Sequence, residues 1–133
     1  MKFLLLMNYE GGAGCDAPLP EWPQEDIARH IAFQGATGEM LAERGELVSA
    51  EGLAGPDAVR TVTSDGRSAP VVTDGPYAEV KEVLAGYWMV DVDSAERAVE
   101  IAAHISAAPG LGGVPIQQPI QVRQVMGAES VQG

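Results

Sequence analysis

The chain is short of cysteine, of positive charge and of long apolar runs. Its one cysteine, Cys15, leaves no internal disulfide to form, which suits a reducing compartment. That thiol follows Gly11-Gly12-Ala13-Gly14 with no basic neighbour to lower its pKa, so it reads as a loop thiol rather than a nucleophile. Eight Lys and Arg stand against nineteen Asp and Glu, a net charge of −11 with a pI near 4.4. Such a surface repels phosphate backbones and anionic lipids, which removes nucleic acid and electrostatic membrane docking from the expected partners. The apolar run at the N-terminus, Phe3 to Met7, is too short for a membrane span or a signal-peptide core, and the cytoplasm is the expected location. Nucleophile-elbow, Walker and dinucleotide motifs are missing. Two histidines among scattered carboxylates lack metal-ligand spacing. Neither a metal nor another cofactor is expected.

What is there is one domain's worth of chain. It has 133 residues, of which 46% are hydrophobic, enough for a core without metal or disulfide staples. We read residues 1–133 as a single domain. Residues 2–8 form a short apolar strand before a glycine-rich loop. Pro23 opens a helix, with Glu25 and Asp26 in the first turn where acids suit the dipole, and Gly45 ends it. On this helix Ile27, Ile31, Gly38, Leu41 and Ala42 make the expected core stripe. His30 lies on its flank, beside a second patch of Phe33 and Met40. Leu47 to Leu53 is a strand. The β-prone runs 58–63 and 69–73 flank Asp65-Gly66, a hairpin signal. Gly86 to Val92 is the clearest strand. Asp93, with Glu96 three residues on, suggests a capping box opening a second helix. That helix presents Ala95, Ala98, Val99, Ala102 and Ile105, and leaves His104 on the solvated side. A last strand is expected at 119–125.

Strand, helix, strand, hairpin, strand, helix, strand is an α+β, ferredoxin-like split βαβ pattern with an inserted β-hairpin. Two helices cover one face of such a sheet. The first strand and residues 87–90 are nonetheless apolar on both faces, and strands of that kind are buried on both. A second copy of the chain is the simplest cover, so a homodimer packed sheet to sheet is expected.

Val72-Thr73-Asp74-Gly75-Pro76-Tyr77-Ala78-Glu79-Val80-Lys81-Glu82, followed by Gly86-Tyr87-Trp88, resembles the signature of the YCII-related, DGPF-type proteins. The opening strand, His30-Ile31-Ala32-Phe33, the second helix and the Val122-Arg123 strand are similar too. The resemblance covers nearly the whole chain and implies a dimeric α+β barrel. It implies no settled reaction. A His–Asp pair has been suggested as an active site in the wider family, and some members are encoded beside, or fused to, extracytoplasmic-function sigma factors. Three places depart from the pattern. Tyr77 stands where Phe is usual, Gln121 stands where a Glu precedes the x-Arg of the last strand, and the segment from Pro109 to Pro115 is longer than usual. Its glycines resemble a phosphate loop only superficially, because Pro115 rather than a helix follows.

On these residues His30 is the candidate proton carrier, an imidazole being the side chain that changes charge near neutral pH. Asp74 is the candidate to orient it. Each has a plainer role open to it: a helix-flank histidine at a dimer contact, and a turn aspartate bonding its own downstream amides. Lys81 and Arg123, scarce cations in an acidic chain, are the candidates to hold a small anionic ligand, with Tyr77 and Glu79 beside them. Glu79, Lys81 and Glu82 read equally as a surface charge cluster. Three readings stay open: a small cofactor-free enzyme using His/Asp acid–base chemistry, a non-catalytic ligand-binding or regulatory module working with a sigma factor, or a dimer whose signature residues only build the corner and the interface.

Overall fold

A computed structural model describes residues 1–8, 21–75 and 83–127. The elements run β1 (Lys2–Asn8), α1 (Gln24–Glu43), β2 (Leu47–Gly52), β3 (Arg60–Thr63), β4 (Val71–Asp74), β5 (Leu84–Asp91), α2 (Ala95–Ser106) and β6 (Ile120–Gln124). Four strands pair in the order β2-β5-β1-β6, all antiparallel. That order and connectivity make an α+β, ferredoxin-like sheet. The expected hairpin forms as a separate two-stranded sheet of β3 and β4.

Alternation along the strands divides the sheet into two faces. Phe3 pairs with Val90, Leu5 with Trp88 and with Val122, and Met7 with Ile120. These side chains face the helices and pack with Leu41 of α1 and with Ala98, Ile101, Ala102 and Ile105 of α2. Leu5, Leu41, Val90 and Ile101 are completely buried, and each carries about 1.5–3 kcal/mol of burial. On the other face Leu4 lies between Met89 and Arg123, and Leu6 between Tyr87 and Gln121. Leu4, Leu6, Tyr87 and Met89 are half-buried.

Each helix keeps part of its expected stripe, Leu41 in α1 and Ala98, Ala102 and Ile105 in α2, and departs from it elsewhere. Ile31 is 55% exposed and Ala42 is exposed, whereas Asp26, Thr37 and Leu41 are buried, with His30 and Phe33 beside them. In α2, Val99 points outward and Ile101 takes its place in the core. The cap also moves by one residue. Ser94, not Asp93, is the N-cap, its hydroxyl accepting from the Arg97 amide at 3.1 Å. The C-terminus of α1 ends as expected at Gly45, whose φ is +72°. The Gly45 amide bonds the Ala42 carbonyl and the Glu46 amide bonds the Leu41 carbonyl, a Schellman closure.

A second, smaller apolar cluster joins Trp22, Ala108 and Ile116 to Ile27, Phe33 and Leu111. It clamps the 108–116 loop onto the first half of α1. That loop carries a 3-10 turn at Leu111–Gly113.

A candidate acid–base cleft between α1 and the sheet

His30 belongs to the inward side of α1, one turn after Asp26. Its Nδ1 lies 2.9 Å from the Pro109 carbonyl oxygen. A carbonyl has no proton to give, so Nδ1 carries the hydrogen and donates it. In the neutral ring this leaves Nε2 with its lone pair, accepting from the Gln34 side-chain amide at 3.1 Å. A backbone carbonyl thus selects which ring nitrogen is basic. Trp22 meets the ring edge-on, with centroids 5.6 Å apart, so the ring is held in position as well as in tautomer.

Beside His30 opens a cleft of ≈ 590 Å³, within the range of small-molecule sites. From α1 it takes His30, Ile31, Gln34 and Gly35. The strands supply Met7, Ala50, Gly52, Gly86 and Trp88, and Gln118 closes one end. Three glycines give it room. A Cβ on Gly35 or Gly52 would meet nothing within 4 Å, while one on Gly86 would lie 2.9 Å from the Glu51 carbonyl oxygen. Gly86 is therefore required by the close approach of β2, and the other two leave open space. Gln118 is fixed at both ends. Its side-chain amide donates to the Asn8 carbonyl at 2.7 Å, and its own backbone carbonyl accepts from the Ser106 hydroxyl at 2.7 Å. Two carboxamides and one basic nitrogen therefore meet a mostly apolar space, to which Glu51 and Tyr87 also contribute.

A second concavity, of ≈ 480 Å³, lies between Arg44–Glu46 and Asp91–Asp93. Two of its carboxylates are paired within the protein. Arg97 grips both oxygens of Glu46 at 2.9 Å, and the Met1 ammonium holds Asp91 at 3.0 Å. Among the described residues no three His, Cys, Asp or Glu side chains gather as a metal site would need.

The sequence model of the YCII-related domain matches residues 1–116. The chain belongs to the YCII-related family. An uncharacterised protein of Rhizobium meliloti (strain 1021) is 29% identical over 97 residues, covering 72% of this chain and 77% of that one.

The cleft and the YCII-related signature overlap at Gly86-Tyr87-Trp88 and at His30. The other candidates fall elsewhere. Asp74 is exposed at the end of β4, in register with Arg60, and is not part of the cleft wall. The tautomer-setting role expected of it is filled within the chain by the Pro109 carbonyl. Arg123 is exposed and pairs in register with Leu4, which puts it on the sheet face opposite the helices and away from His30. Tyr77, Glu79 and Lys81, like Cys15, lie outside the described residues. His104, expected on the solvated side, is exposed, and its ring stacks on Phe33 with centroids 4.7 Å apart and meets the Thr37 hydroxyl at 3.1 Å. Thr37 donates its own proton to the Phe33 carbonyl at 2.8 Å, so the ring nitrogen of His104 is the donor of that pair. It pins α2 to α1.

Sequence reading passed over Gln34, Gln118 and the Pro109 carbonyl. Gly35 and Gly38, weak residues for a helix interior, were the available signal. Gly38 lets Trp88 pack against α1, and Gly35 leaves the cleft open.

Proposed function

We propose that this YCII-related protein is a small cofactor-free acid–base enzyme. His30 exchanges a proton through Nε2 with a small organic molecule seated between α1 and the sheet. The observation that carries this reading is the Nδ1–H bond to the Pro109 carbonyl, which leaves Nε2 as the basic atom at the cleft wall. The ligand class follows from the lining. Its described residues include Glu51 and no lysine or arginine. They support an uncharged carbonyl or amide compound, bonded by Gln34 and Gln118, over the anion expected from Lys81 and Arg123. Binding of uncharged amides and of carboxylates of equal size, followed through the His30 ring and Trp88 indole NMR signals, tests this. The uncharged set is expected to shift both signals in the wild type and neither in Gly35→Leu, which fills the cleft. A response to carboxylates alone would contradict it. If binding survives His30→Gln unchanged, the site is a binding module. Co-purification with a sigma factor would then be the assay of the regulatory alternative.

The working unit we propose is a homodimer packed through the open sheet face. Half-buried Leu4, Leu6, Tyr87 and Met89 sit there with no described helix over them. The separate hairpin also carries Val62, Val71 and Val72, each more than half exposed. Two-stranded hairpins are marginal in water without a packed face. Sedimentation at micromolar concentration is expected to give twice the mass of 13.9 kDa, and a clean monomer would overturn the assembly. A single cysteine suits the reducing cytoplasm as its location.

A further inference from the structure

We propose that Asp26 is a positioning residue for His30, acting through the 108–116 loop. The inference rests on the reading of His30 as the base of the cleft. Asp26 is 5% exposed, and a buried carboxylate must find donors. One oxygen accepts from Arg29 Nη1 at 3.0 Å. The other accepts from the backbone amide of Gly112 at 3.1 Å, across 86 residues of sequence. The turn is shaped for that contact. Gly112 and Gly113 have φ of +66° and +78°, and a Cβ on Gly113 would lie 3.1 Å from Arg29 Nη1.

Behind the tip the loop is closed on itself. The Gly113 amide bonds the Gly110 carbonyl, the Gly110 amide bonds the Val114 carbonyl, and the Ile116 amide bonds the Ala108 carbonyl. Pro109 is part of this knot, and its carbonyl faces His30. Residues four apart on a helix share a face. Helix α1 therefore grips the loop at two points one turn apart. At one the Asp26 carboxylate receives a proton donor from the loop, and at the other His30 gives one to it. The first contact sets the loop so that the second selects the tautomer.

Long-range ¹⁵N–¹H NMR of the histidine rings at neutral pH tests the link, because it reports which ring nitrogen carries hydrogen. The wild type is expected to show His30 as one tautomer, Nδ1–H. Asp26→Ala is expected to convert it to a mixture in which Nε2–H is a major species, with His104 unchanged as an internal control. Asp26→Asn keeps an acceptor for Gly112 and is expected to restore the single tautomer. A folded Asp26→Ala protein that retains pure Nδ1–H overturns the inference and leaves the reading of His30 intact. A wild type lacking Nδ1–H overturns the reading itself. Hydrogen exchange in the wild type decides the case if Asp26→Ala does not fold. The Gly112 amide and the His30 Nδ1–H are expected to open with the same denaturant dependence, and independent opening overturns the link.

Discussion

Glu46 and Arg97 show what a single well-formed ion pair does in an acidic chain. The hydrogen bonds from Arg97 hold the Glu46 carboxyl below its usual value. Partial burial opposes this, and the charges of Arg97 and, less, Arg44 add to it. A carboxyl lowered by folding stabilises the protein at pH values above its unfolded pKa, and that stability is lost as pH falls through the folded value. Denaturant unfolding between pH 7 and 3 is expected to show an acid limb that is shallower in Glu46→Gln. At pH 7 the same variant is expected to lose about 1 kcal/mol, the upper range for accessible pairs. An unchanged acid limb would show that Glu46 carries none of it. The lowered Asp65 carboxyl has a different cause, the backbone amides of Ser68 and Arg67 in the hairpin loop.

At the scale of elements, the two helix ends give opposite tests. Ser94→Ala is expected to cost about 1 kcal/mol while Asp93→Ala leaves the α2 cap intact, measured by thermal or denaturant unfolding. Equal losses would restore the one-residue-earlier cap. Gly45→Ala forces an L-residue to a φ of +72° and is expected to cost about 1–2 kcal/mol. Gly35→Ala meets no neighbour within 4 Å and is expected to gain up to about 1 kcal/mol. A loss at Gly35 would mean that something packs there. Strands and most helix ends were legible in the sequence because they are set locally, by the short apolar run at Phe3–Met7 before a glycine-rich break, the Asp65-Gly66 turn and the Gly45 stop. Helix phase was legible only in part. The inward face of α1 carries Asp26, His30 and Thr37, whose partners are Gly112, Pro109 and His104. An apolar-periodicity count sees none of these, since they arrive from some seventy to ninety residues away and two are backbone atoms. In α2 the expected Ala98, Ala102 and Ile105 are buried, and Ile101 rather than Val99 completes the face.

Across the whole molecule, the cleft and the open sheet face divide the candidate residues between them. His30 belongs to the cleft, Arg123 to the open face, and Asp74 to the hairpin. The charge of −11 is spread over a surface with few cations, of which Arg97 pairs with Glu46 and Arg29 with Asp26. The described cleft wall holds Glu51 and no lysine or arginine, which supports the uncharged ligand proposed for it. Within one chain His30 is held by a backbone carbonyl, while Asp74 lies at the end of the hairpin. The most direct measurement of that central claim is the ring ¹⁵N spectrum of His30 in the wild-type protein just above neutral pH. The expected result is a protonated Nδ1 beside a bare Nε2 that responds to an uncharged amide in the cleft. A protonated Nε2, or a ring averaging between both forms, would contradict it.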